Sequence, residues 1–218
     1  MKIVISGNIG SGKTSQIKRL QEEFKNHKSI EIIPEAVQEW IDEGWLGRFY
    51  ENPKKYSLGF QFRVLQSQIK LPDMDICTIV ERSLHTTTHI FSKQLVEDGM
   101  ISSKGYESIL KFVDKNNWKP TCFIYIKTPP EVCHQRIKER SRDEESMIPL
   151  EYLENIHEKH EKFHKSNEYL HYEIDGTLTQ EEVFYKIMQV LYTHLLEPTV
   201  YNESCDEEGC IPTLIQEG

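Results

Sequence analysis

Residues 7 to 14 read Gly-Asn-Ile-Gly-Ser-Gly-Lys-Thr, and the pattern G-x-x-x-x-G-K-[ST] runs from Gly7 to Thr14 without a mismatch. Its surroundings suit it. A short apolar, β-branched run, residues 2–6, precedes it, and residues 14–24 have helical spacing. Gly7, Gly10 and Gly12 let the backbone bend until its N–H groups, with those of Asn8, Ile9 and Ser11, converge on one anion. The helix that follows offers its positive end to the same anion. Lys13 can reach terminal phosphates, and the Thr14 hydroxyl can hold Mg²⁺. A strand, a phosphate loop and a helix in that order imply a chain that binds a nucleoside triphosphate, and they tie the fold to an α/β class.

Further along, apolar β-rich runs at residues 29–33, 77–80, 121–127 and 171–174 alternate with helical stretches. Such alternation predicts a parallel sheet with helices on both faces. Residues 36–70 read as two helices and no strand. Pro53 opens the second of these, Asn52 caps it, and Leu71-Pro72-Asp73 ends it. The last clear helix spans 183–196. We expect one domain over residues 1–196, a size a single core can reach. The acidic, aperiodic residues 197–218 are expected to form a mobile tail.

A net charge of −9 argues against nucleic acid as a partner, and no apolar run is long enough to span a bilayer. The sequence opens directly on its first strand, so no targeting segment is expected and a cytoplasmic location is. Cys77, Cys122, Cys133, Cys205 and Cys210 show no framework spacing and are read as free thiols. The histidines at 157, 160 and 164 lack the H-E-x-x-H spacing of a zinc site.

Within so acidic a chain, clustered cations and strand-end charges are informative. Glu35 follows the second strand directly, at the edge where parallel sheets bind ligands. It can accept a proton from a substrate hydroxyl, or it can simply complement a helix dipole. Glu81-Arg82-Ser83 follows the third strand. No Asp closes a run of four apolar residues, so Glu81 is the best candidate to join Thr14 at Mg²⁺. Arg82 can hold a phosphate, position Glu35, or form a local ion pair with Glu81. Arg136, Lys138, Arg140 and Arg142 place four cations in seven residues. They can close over a triphosphate as a lid, or form a solvated face balanced by Asp143, Glu144 and Glu145. Trp40, Tyr50, Tyr56, Phe60, Phe62 and Phe91 lie around Gln61 in sequence. They suit a slot for a flat heterocycle, or core packing.

Taken together, these residues resemble the deoxyribonucleoside kinase family over about residues 1–195, with the motifs in family order. Gly7–Thr14 is similar to the family's phosphate loop, and Pro34-Glu35-Ala36-Val37-Gln38-Glu39-Trp40 to its general-base segment with a base-packing Trp. The resemblance assigns Tyr50 and Glu145 to the sugar 3′-hydroxyl and Phe60-Gln61 to the nucleobase. It assigns Glu81-Arg82 to the strand-end charge pair and Arg136 to Glu145 to the lid. Arg136, Arg140 and a loop starting at Asp175 then belong to the ATP side. It implies strand order 2-3-1-4-5, a homodimer, and ATP with Mg²⁺. Val64, Gln68, Thr87 and Phe91 fall in the base pocket by analogy. Where members favouring deoxycytidine and purines carry an Arg and a paired Asp, this chain has Gln68 and Thr87. That difference leans toward pyrimidines, thymidine first.

Overall fold

The computed structural model describes residues 1–69, 76–116, 118–140, 142, 145, 148–166 and 168–195. The 197–218 tail, Cys205, Cys210, Asp143, Glu144 and the Leu71-Pro72-Asp73 helix stop lie outside the described residues.

Five strands, β1 (Lys2–Ser6), β2 (Ile30–Ile33), β3 (Cys77–Glu81), β4 (Cys122–Lys127) and β5 (Leu170–Asp175), form one parallel sheet in the order β2-β3-β1-β4-β5. Both the class and the strand order match the sequence expectation. The strands form where β-branched and aromatic residues alternate between two buried faces. Ile3 and Ile5 pack with Ile17, Leu20 and Ile187 on one face, against α1 (Lys13–Glu23) and α10 (Gln180–Val190). Val4, Val80 and Phe123 pack on the other with Trp40, Phe60 and Leu65. Register aligns the carboxyl ends, since Ile33 pairs with Val80, Val80 with Val4 and Val4 with Phe123. Glu35, Arg82 and Ser6, each two residues past such a position, therefore leave the sheet at one edge.

The middle section holds three helices rather than two: α2 (Val37–Asp42), α3 (Trp45–Glu51) and α4 (Pro53–Ile69). Gly44 divides the first pair. It adopts φ 70°, and its N–H donates to the Ile41 carbonyl. A lone glycine inside helical spacing hides such a break in the sequence. Pro53 does open α4, and the Asn52 side-chain oxygen accepts from the Lys55 N–H at 3.2 Å. After β3, a helix runs through α5 (Leu84–Thr86), a π-helical stretch (Thr87–Ser92) and α6 (Lys93–Glu97). The remaining helices are α7 (Ser103–Asn116), α8 (Pro130–Arg140), α9 (Leu150–Ser166) and a π-helical stretch (Leu191–Leu195) that continues α10. The last helix begins earlier than its apolar spacing suggested. Thr179 and Glu182 form a reciprocal capping box that starts α10 at Gln180.

Candidate functional site

A cavity of about 700 Å³ opens at the carboxyl edge of the sheet. Its floor is the β1–α1 loop, which is held tightly in place. Gly10 sits at φ 79°, where a Cβ would come within 2.5 Å of the Cys133 carbonyl oxygen on α8. Gly12, at φ 96°, is the N-cap of α1 and supplies no capping side chain. The first N–H groups of α1 thus lack an internal partner, at the positive end of the helix. Ile9, Gly10, Ser11, Gly12, Lys13 and Thr14 all line the cavity. Gly7 and Asn8, assigned to the cofactor from sequence, do not. Asn8 is buried and braces the loop from behind. Its Nδ2 donates to the Leu153 carbonyl of α9 at 2.8 Å, and its Oδ1 accepts from the Ile9 N–H.

Lys13 lies inside the loop, 4% exposed, with Nζ donating to the Asn8 carbonyl at 2.7 Å. Burial, and next the Arg82 charge, lower its pKa to about 8. The Thr14 hydroxyl donates to Glu81 Oε1 at 2.6 Å, so the two residues expected at Mg²⁺ do meet. The other Glu81 oxygen accepts from the Glu35 N–H at 3.3 Å. Glu35 faces Arg82, with Nε 3.4 Å from Oε1. Burial raises the Glu35 pKa, opposed first by Arg82. The local-pair alternative for Arg82 with Glu81 is therefore not what forms: Arg82 turns to Glu35. It does so from a left-handed backbone, φ 63°, rare for a residue with a side chain. That turn is fixed on both sides. Its N–H donates to the Ile5 carbonyl, and Ser83 next to it caps α5 in a box with Thr86. The guanidinium lies 4.1 Å from the Phe91 ring centroid, a cation–π contact.

The basic segment closes the other side. Arg136, Arg140, Arg142 and Glu145 line the cavity. Both Arg140 and Arg142 engage Glu145, the latter at 2.8 Å. Among the described residues, one buried carboxylate thus pairs with two lid cations.

Trp40, Tyr50, Phe60, Gln61, Val64, Thr87 and Phe91 line the remaining wall. Trp40 meets Phe60 edge to face, with centroids 5.6 Å apart. Gln61 is buried, and its Oε1 accepts from Ser92 Oγ at 3.0 Å, which orients the amide. Burial raises the Tyr50 pKa. Tyr56 and Phe62 do not line the cavity; Phe62 packs edge to face on Phe112 of α7.

Two further residues differ from expectation. Gln68 lies outside the main cavity. Its Oε1 accepts from Thr87 Oγ1 at 2.9 Å, while its other side borders a small separate void. Asp175 is exposed and caps its own turn, accepting from the Thr177 N–H and Oγ1 at 2.8 and 2.7 Å. Its loop still lines the cavity, but through Gly176, Leu178 and Gln180. Gln16 of α1 ties that loop down, donating to the Gln180 carbonyl at 3.0 Å. Sequence reasoning missed Tyr152, a half-buried phenol of α9 lining the cavity. Its only signal was helical spacing, which marks core as readily as site.

Among the described residues no group of three His, Cys, Asp or Glu side chains forms a metal site. Thr14 and Glu81 nevertheless present hard oxygen donors, the kind Mg²⁺ takes alongside water and phosphate. His160 and His164 face the core beside Tyr125, with His164 2.9 Å from His171 between Nδ1 atoms. Cys77, Cys122 and Cys133 are free thiols. No helix among the described residues is long and apolar enough to cross a membrane.

This sheet order, with a glycine-rich loop after β1 and charged residues at the ends of β2 and β3, is that of the P-loop kinases. More narrowly, the chain belongs to the deoxynucleoside kinase family, whose family model, "Deoxynucleoside kinase", matches residues 3–197. It is 33% identical over 174 residues to human "Thymidine kinase 2, mitochondrial", a match covering 74% of this chain and 63% of that protein. It is 33% identical over 163 residues to "Putative kinase protein 029R" of Invertebrate iridescent virus 3, covering 73% and 80%. It is 31% identical over 168 residues to the "Deoxyadenosine kinase" of Dictyostelium discoideum, covering 74% and 65%. The match thus spans less than two thirds of the thymidine kinase and of the deoxyadenosine kinase.

Proposed function

We propose that this chain phosphorylates the 5′-hydroxyl of deoxyribonucleosides, with ATP as phosphate donor. One observation carries the reading: a buried carboxylate, Glu35, is held 3.4 Å from Arg82 in the same cavity as Lys13 and an aromatic slot. Such an arrangement suits a proton acceptor beside cations that hold a transferring phosphoryl group. The transition state of that reaction is loose, so positioning and charge neutralisation supply most of the catalysis. Glu35 takes the hydroxyl proton, and its raised pKa makes it a stronger base once ionised. Lys13, Arg82, Arg136, Arg140 and Arg142 hold the phosphoryl oxygens. Thr14 and Glu81 would hold Mg²⁺, directly or through water, and the ion would supply neutralisation of charge on the donor's phosphates.

At the acceptor end, Tyr50 and Glu145 address the sugar 3′-hydroxyl. The pair of arginines on Glu145 supports this, because it fixes the carboxylate and links sugar recognition to lid position. Glu35 and Glu145 together oppose a phosphate at that end, which disfavours a nucleoside monophosphate as acceptor. Trp40, Phe60 and Phe91 enclose the base, and Gln61 offers it a donor and an acceptor. Val64 and Thr87 leave room for a 5-methyl group, and the residue bonded to Thr87 is the uncharged Gln68 rather than a cation that would favour a purine. Thymidine is then the best substrate, deoxycytidine is usable and deoxyguanosine poor. The relatives' names, which include thymidine and deoxyadenosine kinases, support the nucleoside class but divide over the base.

We further propose that residues 1–196 act as one kinase domain, that the protein is a homodimer, and that it works in the cytoplasm. The test of function is ADP release with ATP and Mg²⁺ against the four deoxyribonucleosides and thymidine monophosphate. Turnover of nucleosides led by thymidine is expected. Turnover of the monophosphate alone would overturn the reading, and a preference for deoxyguanosine would overturn the pocket argument. Sedimentation equilibrium checks the dimer.

A further inference from the structure

Next to the main cavity, with which it shares Pro34, Glu35, Glu81 and Arg82, lies a void of about 20 Å³ bordered also by Ser67 and Gln68. Among its lining residues Gln68 Nε2 is buried with no hydrogen-bond partner among the described residues, and Glu35 Oε1 and Arg82 Nε, 3.4 Å apart as an ion pair, also lack hydrogen-bond geometry. An orphaned buried donor such as Gln68 Nε2 is costly, at about 1–3 kcal/mol, and native structures rarely keep one beside an ion pair that also has hydrogen-bonding capacity to spare. The void has the volume of a single water molecule, and its lining offers the two to four polar partners such a water requires. The chemistry is complementary. Gln68 and Arg82 bring N–H donors, and Glu35 brings an acceptor.

Gln68 is also fixed from its other side. Its Oε1 accepts from Thr87 Oγ1 at 2.9 Å, and its backbone carbonyl accepts from Trp118 Nε1 at 2.9 Å. The hydroxyl of Thr87 thus sets which end of the amide faces the void. Residue 68 is the position at which the sequence carries an amide rather than a charge.

We infer that Gln68 is a positioning residue for Glu35, acting through one buried water that accepts from Gln68 Nε2 and Arg82 Nε and donates to the Glu35 carboxylate. The inference rests on the proposed role of Glu35 as proton acceptor. It assigns Gln68 to the orientation of that carboxylate and not to contact with the nucleobase. The water holds one carboxylate oxygen back, so that the other is directed to the hydroxyl it must deprotonate. Small displacements of a reacting group are expensive in rate.

Two measurements test this. The first is a high-resolution crystal structure of the full chain. The inference expects an ordered water within hydrogen-bond distance of Gln68 Nε2 and a Glu35 oxygen in the wild type, and its loss in Gln68→Met. A dry void, or direct contact between the two side chains, would overturn it. This readout does not depend on turnover, so it separates failure of the water bridge from failure of the kinase reading. The second is steady-state kinetics with thymidine. Gln68→Met keeps the volume of the side chain and removes its donor. It is expected to lower kcat by about 10- to 100-fold while nucleoside KM and base preference stay within about twofold. Gln68→Asn retains an amide and leaves space for a second water, and is expected to recover most of the lost kcat. A change confined to KM, or a shift in base preference, would show that Gln68 reads the base. Equal losses in both variants, with an equal fall in melting temperature, would show that it only packs.

Discussion

Lys13 should make this protein less stable while making it active, and the size of the effect follows from its burial. The ammonium is 4% exposed, and its pKa falls from 10.5 to about 8. Below pH 8 the lysine is charged in both folded and unfolded states, and the folded state bears the full cost of keeping that charge. At 1.36 kcal/mol per pKa unit the cost is about 3 kcal/mol. As pH rises from 8 toward 10.5, the folded protein sheds this proton before the unfolded chain does, and the cost disappears. Lys13→Met removes the charge and fills the space with an apolar chain. It also removes the bond from Nζ to the Asn8 carbonyl, worth about 1 kcal/mol. The variant should therefore be more stable by about 2 kcal/mol at pH 7, a rise in Tm of about 4–8 °C for a chain of this size. At pH 10 the difference should vanish or reverse. Scanning calorimetry of both proteins at pH 7, 8.5 and 10 measures this, and the comparison cancels groups the two share. In the same variant kcat should fall by several orders of magnitude, because the lysine acts mainly in the transition state. A variant less stable at pH 7, or a stability difference independent of pH, would refute the account of a desolvated lysine. Near-normal turnover would refute the assignment of the loop.

Glu35→Gln keeps the shape of the base and removes its function. Its kcat should fall by about 10²–10⁴ with little change in nucleoside Kd by calorimetric titration, and unchanged kcat would leave Glu35 as a structural charge. Ribonucleosides should be poor substrates, because Tyr50 and the doubly held Glu145 fit a site without room for a 2′-hydroxyl; equal kcat/KM for uridine and deoxyuridine would contradict this. Gly10→Ala forces a Cβ to within 2.5 Å of the Cys133 carbonyl at a φ of 79°. It should cost about 2–4 kcal/mol and lower ATP affinity, measured by chemical denaturation and by fluorescent nucleotide binding, and a neutral result would mean that the loop is not pressed on α8.

The strands, their parallel pairing and the β1–α1 loop were legible because each is a local pattern. β-Branched alternation, glycine spacing and a lysine at a fixed offset act through neighbours in the chain, and chain neighbours are what a sequence displays. Glu35 and Arg82 were legible as strand-end charges for the same reason, since parallel register brings all such ends to one edge. Their pairing was only one of the alternatives the sequence left open. It depends on a left-handed Arg82, set by a backbone bond to Ile5 and by the Ser83 cap. Glu145 read as one acid among several, and only the folded chain brings it to both Arg140 and Arg142. Asn8 reads as a loop residue, yet its amide is spent on a carbonyl 145 positions away. Gln68 reads as part of the base pocket, but the fold leaves it off the main cavity and beside a small void that Glu35 also borders, and Tyr152 enters the cavity from a helix whose spacing marks only burial. The sequence by itself determined which chemical groups reach the edge of the sheet. The tertiary structure decided which of them meet, because direction and partner depend on side chains converging from segments far apart in the chain.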